Sequence, residues 1–142
     1  LIEACAGDLL RYRKQIGAEN VLIFSDIKKK HSSHAITADI DIAETVRAAE
    51  FFMSDGVIIT GSATGSAAAV DDVKEANSSV SIPVLVGSGI TIENLESYMQ
   101  VSDALIVGSH FKENGYWANT VDYDRVARFM EKANIVRNRL EK

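Results

Sequence analysis

The sequence predicts an α/β protein that forms the latter half of a (βα)8 TIM barrel, and three observations favour this fold class. Four short apolar segments alternate with amphipathic ones, a pattern that predicts parallel strands joined by helices. A complete barrel takes about 250 residues, whereas this chain has 142 residues and begins inside a helical pattern. Glycine-containing turns follow its last two apolar segments, as in barrels that bind phosphate after strands seven and eight. The strands are therefore expected to be strands 5–8 of a barrel, with an open doubly wound sheet as the alternative architecture.

Length and composition predict a single domain, residues 1–142, that is the C-terminal half of one TIM barrel. With 46% hydrophobic residues, the chain has enough apolar side chains for one core. Its net charge of −5 argues against nucleic acid as a partner, because binding to phosphates needs a basic surface. The lone cysteine, Cys5, cannot form an internal disulfide, and we expect a buried thiol in a reducing compartment.

The sequence carries no apolar run long enough to span a bilayer. No basic segment followed by an apolar one opens the chain, which begins with Leu1 rather than Met. We therefore expect a soluble intracellular protein, cytoplasmic or organellar. Any targeting segment and the first four barrel strands would precede this sequence.

The first half of the chain predicts two helices and two strands. The opening helix is expected to end near Gln15, before Gly17. Residues 21–24 form a continuous apolar run, typical of a strand covered on both faces, and a long polar loop follows it. A second helix is expected over about 39–53 and a second strand over 57–60. The apolar sides of the two helices comprise Ile2, Cys5, Ala6, Leu9, Leu10, Ile42, Val46, Ala49 and Met53.

The second half repeats the alternation. A third helix follows the turn at 61–66, and Pro83 is expected as the first residue of the third strand, where its missing N–H is tolerated. Thr91 is expected to cap the fourth helix and Asp122 the fifth, with a strand over 104–107 between these helices. The apolar sides of the three helices comprise Val70, Val73, Ala76, Ile92, Leu95, Met99, Val126, Phe129, Met130, Ala133 and Leu140.

The turn Gly87-Ser88-Gly89 is the first candidate for a phosphate-binding site. Glycines let the backbone approach a ligand closely, and the N–H groups at the start of the next helix attract an anion. A tight strand-to-helix connection without a ligand is the alternative. Gly108-Ser109 follows the next strand, so the two turns are expected to lie side by side and to hold one phosphate, whose charge Lys112 would neutralise.

Four segments of the chain form a recognisable set when they are taken in order. They read FSDIKKKHS at 24–32, TGSATG at 60–65, VGSG at 86–89 and IVGS at 106–109. Together they resemble the BtpA family, which is named for a protein implicated in photosystem I biogenesis. The resemblance covers essentially the whole chain and implies a TIM barrel of the ribulose-phosphate-binding type. It implies no particular reaction, and nothing in the sequence indicates pigments or thylakoids.

Candidate catalytic side chains follow the first strand, because working groups in a parallel barrel lie at the carboxyl ends of the strands. Asp26 is the candidate general base or metal ligand. Lys28 and Lys30 share its parity in an extended chain and are expected to hold an anionic substrate. Lys30 or His31 would join Asp26 in proton transfer. The alternatives are an aspartate that caps its own loop and a solvated basic loop.

The end of the second strand offers further ligand contacts. Thr60, Gly61, Thr64 and Gly65 supply hydroxyls and open backbone, which suit hydrogen bonding to a sugar or phosphate, although small residues also simply let a loop turn.

Two other chemistries find less support in the sequence. Tyr116 and Trp117 are expected to pack under the irregular loop that precedes the last helix rather than to cover a ligand ring. His31 and His34 lie three residues apart, but no other segment rich in His or Cys accompanies them. We therefore predict no metal ion and no cofactor.

The sequence supports two functional hypotheses of different class. The first is an enzyme that binds a small phosphorylated metabolite at the two turns and acts on it by proton transfer. The second is a non-catalytic assembly or stability factor. In either case, unpaired edges of a four-stranded sheet predict a homo-oligomer or association with the N-terminal half of the barrel.

Overall fold

The computed structural model describes residues 5–27, 38–61 and 66–141. The elements within these ranges are α1 (Ala6–Gln15), β1 (Phe24–Ile27), α2 (Ile42–Phe51), β2 (Gly56–Thr60), α3 (Val70–Ser79), β3 (Val84–Gly87), α4 (Leu95–Met99), β4 (Ala104–Ile106) and α5 (Tyr123–Leu140). Two short 3₁₀ turns, Ser109–Phe111 and Glu113–Gly115, separate β4 from α5. The predicted alternation of strands and helices is confirmed.

The four strands form one parallel sheet in the order β1-β2-β3-β4. Each strand pairs with the next one along the chain, so that Val57 faces Val84 and Val86 faces Leu105. A doubly wound sheet reverses its strand order at a switch point. A consecutive order with helical crossovers is instead the winding of a TIM barrel, which the sequence predicts.

Helices cover one face of the sheet, which we call the outer face. Its buried side chains, each at most 4% exposed, are those of Ile27, Val57, Ile59, Val84 and Val86. They belong to one hydrophobic core with side chains from the helices, among them Val46, Val73, Ala76, Leu95 and Tyr98. Fully burying a side chain of this size contributes about 1.5–3 kcal/mol. This layer therefore provides the main stabilisation of the described fold.

The opposite face, which we call the inner face, is much less covered. The strand register places on it Phe24, Asp26, Ile58, Leu85, Ala104 and Ile106. All six are half-buried or exposed, and Ile106 is 47% exposed. In a closed barrel this face lines the interior. The described chain thus presents barrel-interior side chains on a surface.

β1 lies three residues later than the sequence predicts, at Phe24–Ile27 rather than 21–24. Val21 and Leu22 are each 58% exposed, because no described element packs over them. The strand ladder begins only where Phe24 pairs with Gly56. Asp26 consequently lies within the strand and not beyond its end.

Asp55 ties the start of β1 to the turn between α2 and β2. Its Oδ2 accepts a hydrogen bond from the Ile23 N–H at 2.7 Å and another from Arg13 of α1 at 2.5 Å. These two hydrogen bonds lower the pKa of the Asp55 carboxyl below its ordinary value, and the one from Ile23 has the larger effect. The exposed helix α1 is thereby attached to the sheet by polar contacts.

Several side chains expected on buried helix sides are exposed instead. The prediction of a buried Cys5 is wrong, since the thiol is exposed and α1 buries none of its side chains against the described residues. Leu9 is 47% exposed for the same reason. Met53 is 68% exposed because α2 ends at Phe51, two residues before it.

α5 begins at the predicted cap, where Asp122 Oδ1 accepts a hydrogen bond from the Arg125 N–H at 3.1 Å. Its buried side chains are Phe129, Ala133 and Val136, whereas the predicted core residues Met130 and Leu140 are 43% and 44% exposed. These two border a groove of about 670 Å³ between α5 and β4, which we call the α5 groove. No helix in the described ranges is both long and apolar enough to cross a membrane.

Candidate functional site

A cleft of about 490 Å³ lies at the carboxyl ends of β3 and β4, and we call it the β3–β4 cleft. It brings together the two predicted turns, since Ser88 and Gly89 line it beside Gly108 and Ser109. The other lining residues are Ile90, Thr91, Ile106, His110, Gly115, Tyr116, Trp117 and Arg125. Small-molecule sites have volumes of about 300–1,000 Å³. The cleft is therefore large enough for a metabolite.

The turn after β3 is held by a side chain rather than by a helix cap. Ser88 and Gly89 both adopt left-handed conformations, with φ of 69° and 67°. Asn94 Oδ1 accepts a hydrogen bond from the Thr91 N–H at 2.8 Å, and Asn94 Nδ2 donates to Gly89 O at 2.9 Å. The prediction that Thr91 caps α4 is therefore wrong, because this helix starts at Leu95. With five residues, α4 has too few aligned peptides to attract an anion strongly.

Two of the predicted ligand-binding glycines, Gly61 and Gly89, lie directly against the backbone of another segment of the protein. A Cβ atom on Gly61 would lie 2.1 Å from Ser66 O, and one on Gly89 would lie 2.5 Å from Ala67 N. These distances are far shorter than any van der Waals contact. Glycine is thus required at both positions because the connection from β2 to α3 passes against them.

Gly87, at the end of β3, and Gly108, after β4, have more space around them. A Cβ atom on Gly87 would make an ordinary contact of 3.4 Å with Ile58 Cγ2. A Cβ atom on Gly108 would meet nothing within 4 Å, and the backbone of this residue has φ −117° and ψ −86°. Packing therefore does not explain Gly108. Its missing side chain leaves the backbone of the turn open to the cleft.

Arg125, in the first turn of α5, is the cationic side chain among the lining residues. Its Nε donates to His110 O at 2.7 Å, and its Nη2 lies 3.5 Å from His110 Nδ1. Lys112, the cation predicted from the sequence, is half-buried and is not among the lining residues. Sequence reasoning missed Arg125 because an arginine three residues after a helix cap has no distinctive pattern.

His110 was also missed, although it directly follows the predicted Gly108-Ser109 turn. Burial lowers the pKa of its imidazole below the ordinary value of 6.5, Arg125 lowers it further, and Glu93 partly opposes this. The ring packs against Phe129 with a centroid distance of 5.5 Å. The guanidinium beside Nδ1 favours the neutral tautomer that carries its proton on Nε2. His110 therefore lines the cleft as an uncharged imidazole at neutral pH.

Tyr116 and Trp117 do not pack under the loop as predicted. Their side chains are 54% and 64% exposed, and both line the cleft. The two rings contact each other, with centroids 5.8 Å apart and planes inclined by 47°. The loop closes through its own backbone hydrogen bonds, such as that from the Glu113 N–H to Thr120 O, so its closure does not depend on burial of the rings.

Thr60, Gly87 and Ile106 form a row across the inner face. Thr60 Oγ1 is buried and has no hydrogen-bond partner among the described residues. A buried hydroxyl without a partner costs about 1–3 kcal/mol. The predicted ligand residues Thr64 and Gly65, on the connection that follows, lie outside the described residues.

Asp26 is exposed on the inner face, where it pairs with Ile58. It is level with Leu85 of β3, two strands or roughly 10 Å away across the sheet, and Gly87 lies two residues further along β3. The predicted partners Lys28, Lys30 and His31 lie outside the described residues, as do Lys29 and His34. No three side chains of the kinds that ligate metals come together within residues 5–27, 38–61 and 66–141.

Comparison with known families identifies the chain. The sequence model of the BtpA family matches residues 1–135. The chain belongs to the BtpA family. The order of the strands, the two turns and the cleft described above are therefore features of a BtpA-family chain.

Relatives of this BtpA-family chain are about twice as long as it is. An uncharacterized protein of Caenorhabditis elegans, named as mitochondrial, is 46% identical over 136 residues, which cover 96% of this chain and 49% of that protein. The photosystem I biogenesis protein BtpA of Synechocystis is 35% identical over 132 residues, covering 92% of this chain and 45% of that protein. The chain thus spans about half the length of the relatives it matches.

A solved structure shares the fold of this BtpA-family chain. It is (S)-3-O-geranylgeranylglyceryl phosphate synthase of Thermoplasma acidophilum, in complex with its substrate sn-glycerol-1-phosphate. The TM-score is 0.61 at 17% identity, over 90% of this chain and 56% of the synthase. At this identity the similarity establishes the fold alone.

Proposed function

We propose that this chain binds a small phosphorylated metabolite in the β3–β4 cleft. The observation that carries the proposal is the common lining of one cleft by Ser88-Gly89, Gly108-Ser109 and Arg125. TIM barrels commonly hold phosphate at the loops after their last two strands. A further support is the synthase of the same fold, which was solved with a glycerol phosphate.

Arg125 is the proposed phosphate ligand. Its Nε and Nη2 are directed at His110, whereas Nη1 makes none of the hydrogen bonds found among the described residues. A guanidinium held in this way loses little side-chain entropy when it pairs with a phosphate. The open backbone of Gly108 and the hydroxyl of Ser109 would complete the contacts.

We propose that Asp26, with Lys30 or His31, transfers a proton on the bound metabolite if the protein is an enzyme. Asp26 is exposed on the inner face, the same face as the row formed by Thr60 and Gly87. Turnover of an identified substrate should fall on Asp26→Ala and on Lys30→Ala. Unchanged turnover in both variants would remove these residues from the mechanism.

A non-catalytic assembly or stability factor is the second candidate function. It is supported by the name of the Synechocystis relative and by the exposure of the inner face, where Ile106 is 47% exposed. This candidate predicts that the polar residues of the cleft tolerate substitution, whereas residues of an apolar surface do not.

Thermal unfolding with matched ligands separates the two candidates. Glycerol 1-phosphate and ribose 5-phosphate should raise the unfolding temperature, whereas glycerol and ribose should not. A ligand bound only by the folded state stabilises it by about 2.7 kcal/mol at a concentration of 100 times its Kd. If no phosphate ester shifts the transition, the binding proposal is wrong.

Two charge-removing variants locate the site. Arg125→Gln should abolish the shift caused by ribose 5-phosphate, because it removes the cation that lines the cleft. Lys112→Gln removes one positive charge from the neighbouring loop and should leave the shift largely intact. If Lys112→Gln abolished the shift and Arg125→Gln did not, Lys112 would be the phosphate ligand, and the site would not be the β3–β4 cleft.

A further inference from the structure

The edge of the β3–β4 cleft carries two aromatic side chains that phosphate binding leaves unused. Tyr116 and Trp117 are 54% and 64% exposed and lie against each other beside the Gly108-Ser109 turn. Aromatic side chains gain more from burial than other residues, so an exposed pair next to a cleft is typical of a ligand-contact surface.

The loop that carries these rings is closed by its own hydrogen bonds. Lys112 and Val121 form an antiparallel bridge at its base. Within it, the Glu113 N–H donates to Thr120 O at 3.0 Å, and Asn119 Nδ2 donates to Glu113 O at 2.9 Å. The backbone that carries the two rings is therefore ordered before a ligand arrives, which lowers the entropic cost of stacking on them.

We infer that the cleft takes phosphate esters whose remaining part contains a planar aromatic group, such as nucleoside monophosphates, and that Trp117 stacks on this group. The inference rests on the proposed phosphate binding in the same cleft. Arg125 and the open Gly108 backbone supply the anion contacts, and the exposed indole supplies the stacking surface. The volume of about 490 Å³ exceeds what a phosphate group alone fills.

The single tryptophan of the chain makes the inference directly measurable, because Trp117 is then the source of all indole fluorescence. Adenosine 5′-monophosphate and ribose 5-phosphate are the probes, since they share the phosphate and the sugar and differ in the planar base. Excitation at the red edge of the indole band avoids absorption by adenine. The monophosphate should quench the emission at saturation, and ribose 5-phosphate should change it little.

Calorimetric titration gives the affinities on which the inference depends. Stacking of one base is worth about 5- to 150-fold in affinity when the aromatic partner is removed. The monophosphate should therefore bind more tightly than ribose 5-phosphate by a factor in this range. Trp117→Leu keeps an apolar side chain but removes the stacking surface. In this variant the ratio of the two affinities should fall close to one. Phe51→Leu removes a side chain that is 79% exposed on α2 and should retain the full preference.

The outcomes distinguish this inference from the proposal beneath it. Equal affinities for the two probes, or a full preference that survives in Trp117→Leu, would overturn the inference while phosphate binding stands. If neither probe binds and neither raises the unfolding temperature, the phosphate-binding proposal and the inference fail together. Thermal unfolding of Trp117→Leu without ligand confirms that the variant is folded.

Discussion

Two glycines that line the cleft differ in the space available for a side chain. Gly89 has a φ of 67° and faces the backbone of Ala67, whereas Gly108 faces open space. We expect Gly89→Ala to destabilise the fold by more than about 1–2 kcal/mol, since left-handed strain alone has this cost and a steric clash adds to it. Gly108→Ala should leave stability nearly unchanged and weaken binding of ribose 5-phosphate.

Urea unfolding of both glycine variants, followed by thermal shift with the ligand, checks this pair. A strongly destabilised Gly108→Ala would show that the space beside this residue is occupied in solution. A stable Gly89→Ala would contradict the close approach of the connection from β2 to α3.

His110 should make stability depend on pH. Its pKa is lowered in the fold by burial and by Arg125, so the unfolded chain binds a proton at a higher pH than the folded chain does. The stabilising contribution is therefore complete above the unfolded pKa of about 6.5 and is lost as the pH falls from there toward the folded pKa.

The difference in stability between wild type and His110→Phe measures this contribution, since phenylalanine retains ring packing against Phe129. We expect the difference to change in favour of the variant as the pH falls below about 6.5. A difference that stays constant with pH would contradict the lowered pKa. Titration of the His110 ring by NMR gives the same quantity directly.

At the level of single residues, the sequence predicted the two turns that line the cleft, but it did not predict the packing role of Gly89 or the presence of Arg125 and His110. The turns at Gly89 and Gly108 were found because each follows an apolar run directly, which is a local signal in the sequence. That Gly89 serves packing is a long-range property, since it depends on Ala67 of another connection. Arg125 and His110 were missed because only the fold brings a helix start and a turn to the same place.

At the level of elements, the start of α5 both stabilises a helix and positions the site. Asp122 Oδ1 accepts a hydrogen bond from the Arg125 N–H, so one cap holds the residue that lines the cleft. We expect Asp122→Ala to cost about 1 kcal/mol, the usual loss for a helix cap. Binding of ribose 5-phosphate should weaken as well.

Asp124→Ala is the matched control, because it removes one negative charge from the same helix turn without removing a cap. Denaturant titration should place this variant close to wild type. Equal losses for the two variants would show that helix-dipole electrostatics, and not the hydrogen bond, is responsible.

The helices and strands were predicted from spacing with different success. α5 and its cap were predicted correctly because a long amphipathic segment and an aspartate are local signals, but Met130 and Leu140 of the predicted apolar side are exposed. β1 was placed three residues too early, because only Phe24, the last residue of the apolar run at 21–24, takes part in the ladder with β2. Pairing partners, which apolar runs do not specify, decide where a strand begins.

At the level of the whole molecule, we propose that the chain is the second half of one barrel, with β1 to β4 as strands five to eight. The proposal is supported by relatives of which this chain spans 49% and 45%, and by the exposed inner face. The complementary strands would pair with the free edges of β1 and β4, cover the inner face and border the α5 groove.

We therefore expect the chain to associate, either with a second copy or with an added N-terminal half from a relative. Ile106→Asp places a charge on the inner face and should reduce this association, as measured by light scattering. Ile135→Asp is the control, since Ile135 is 62% exposed on α5 and does not belong to the inner face. The proposal would be contradicted if the wild-type chain stayed monomeric at high concentration and did not bind the added N-terminal half.

All residues that line the β3–β4 cleft fall between positions 88 and 125. Contacts between segments so close along the chain need little loop-closure entropy. The lining of the cleft is therefore formed by a local part of the chain and does not require a closed barrel. In evolutionary terms, a gene segment that encodes this stretch would carry the whole lining of the cleft, and the rest of the chain could change while this lining is inherited as a unit.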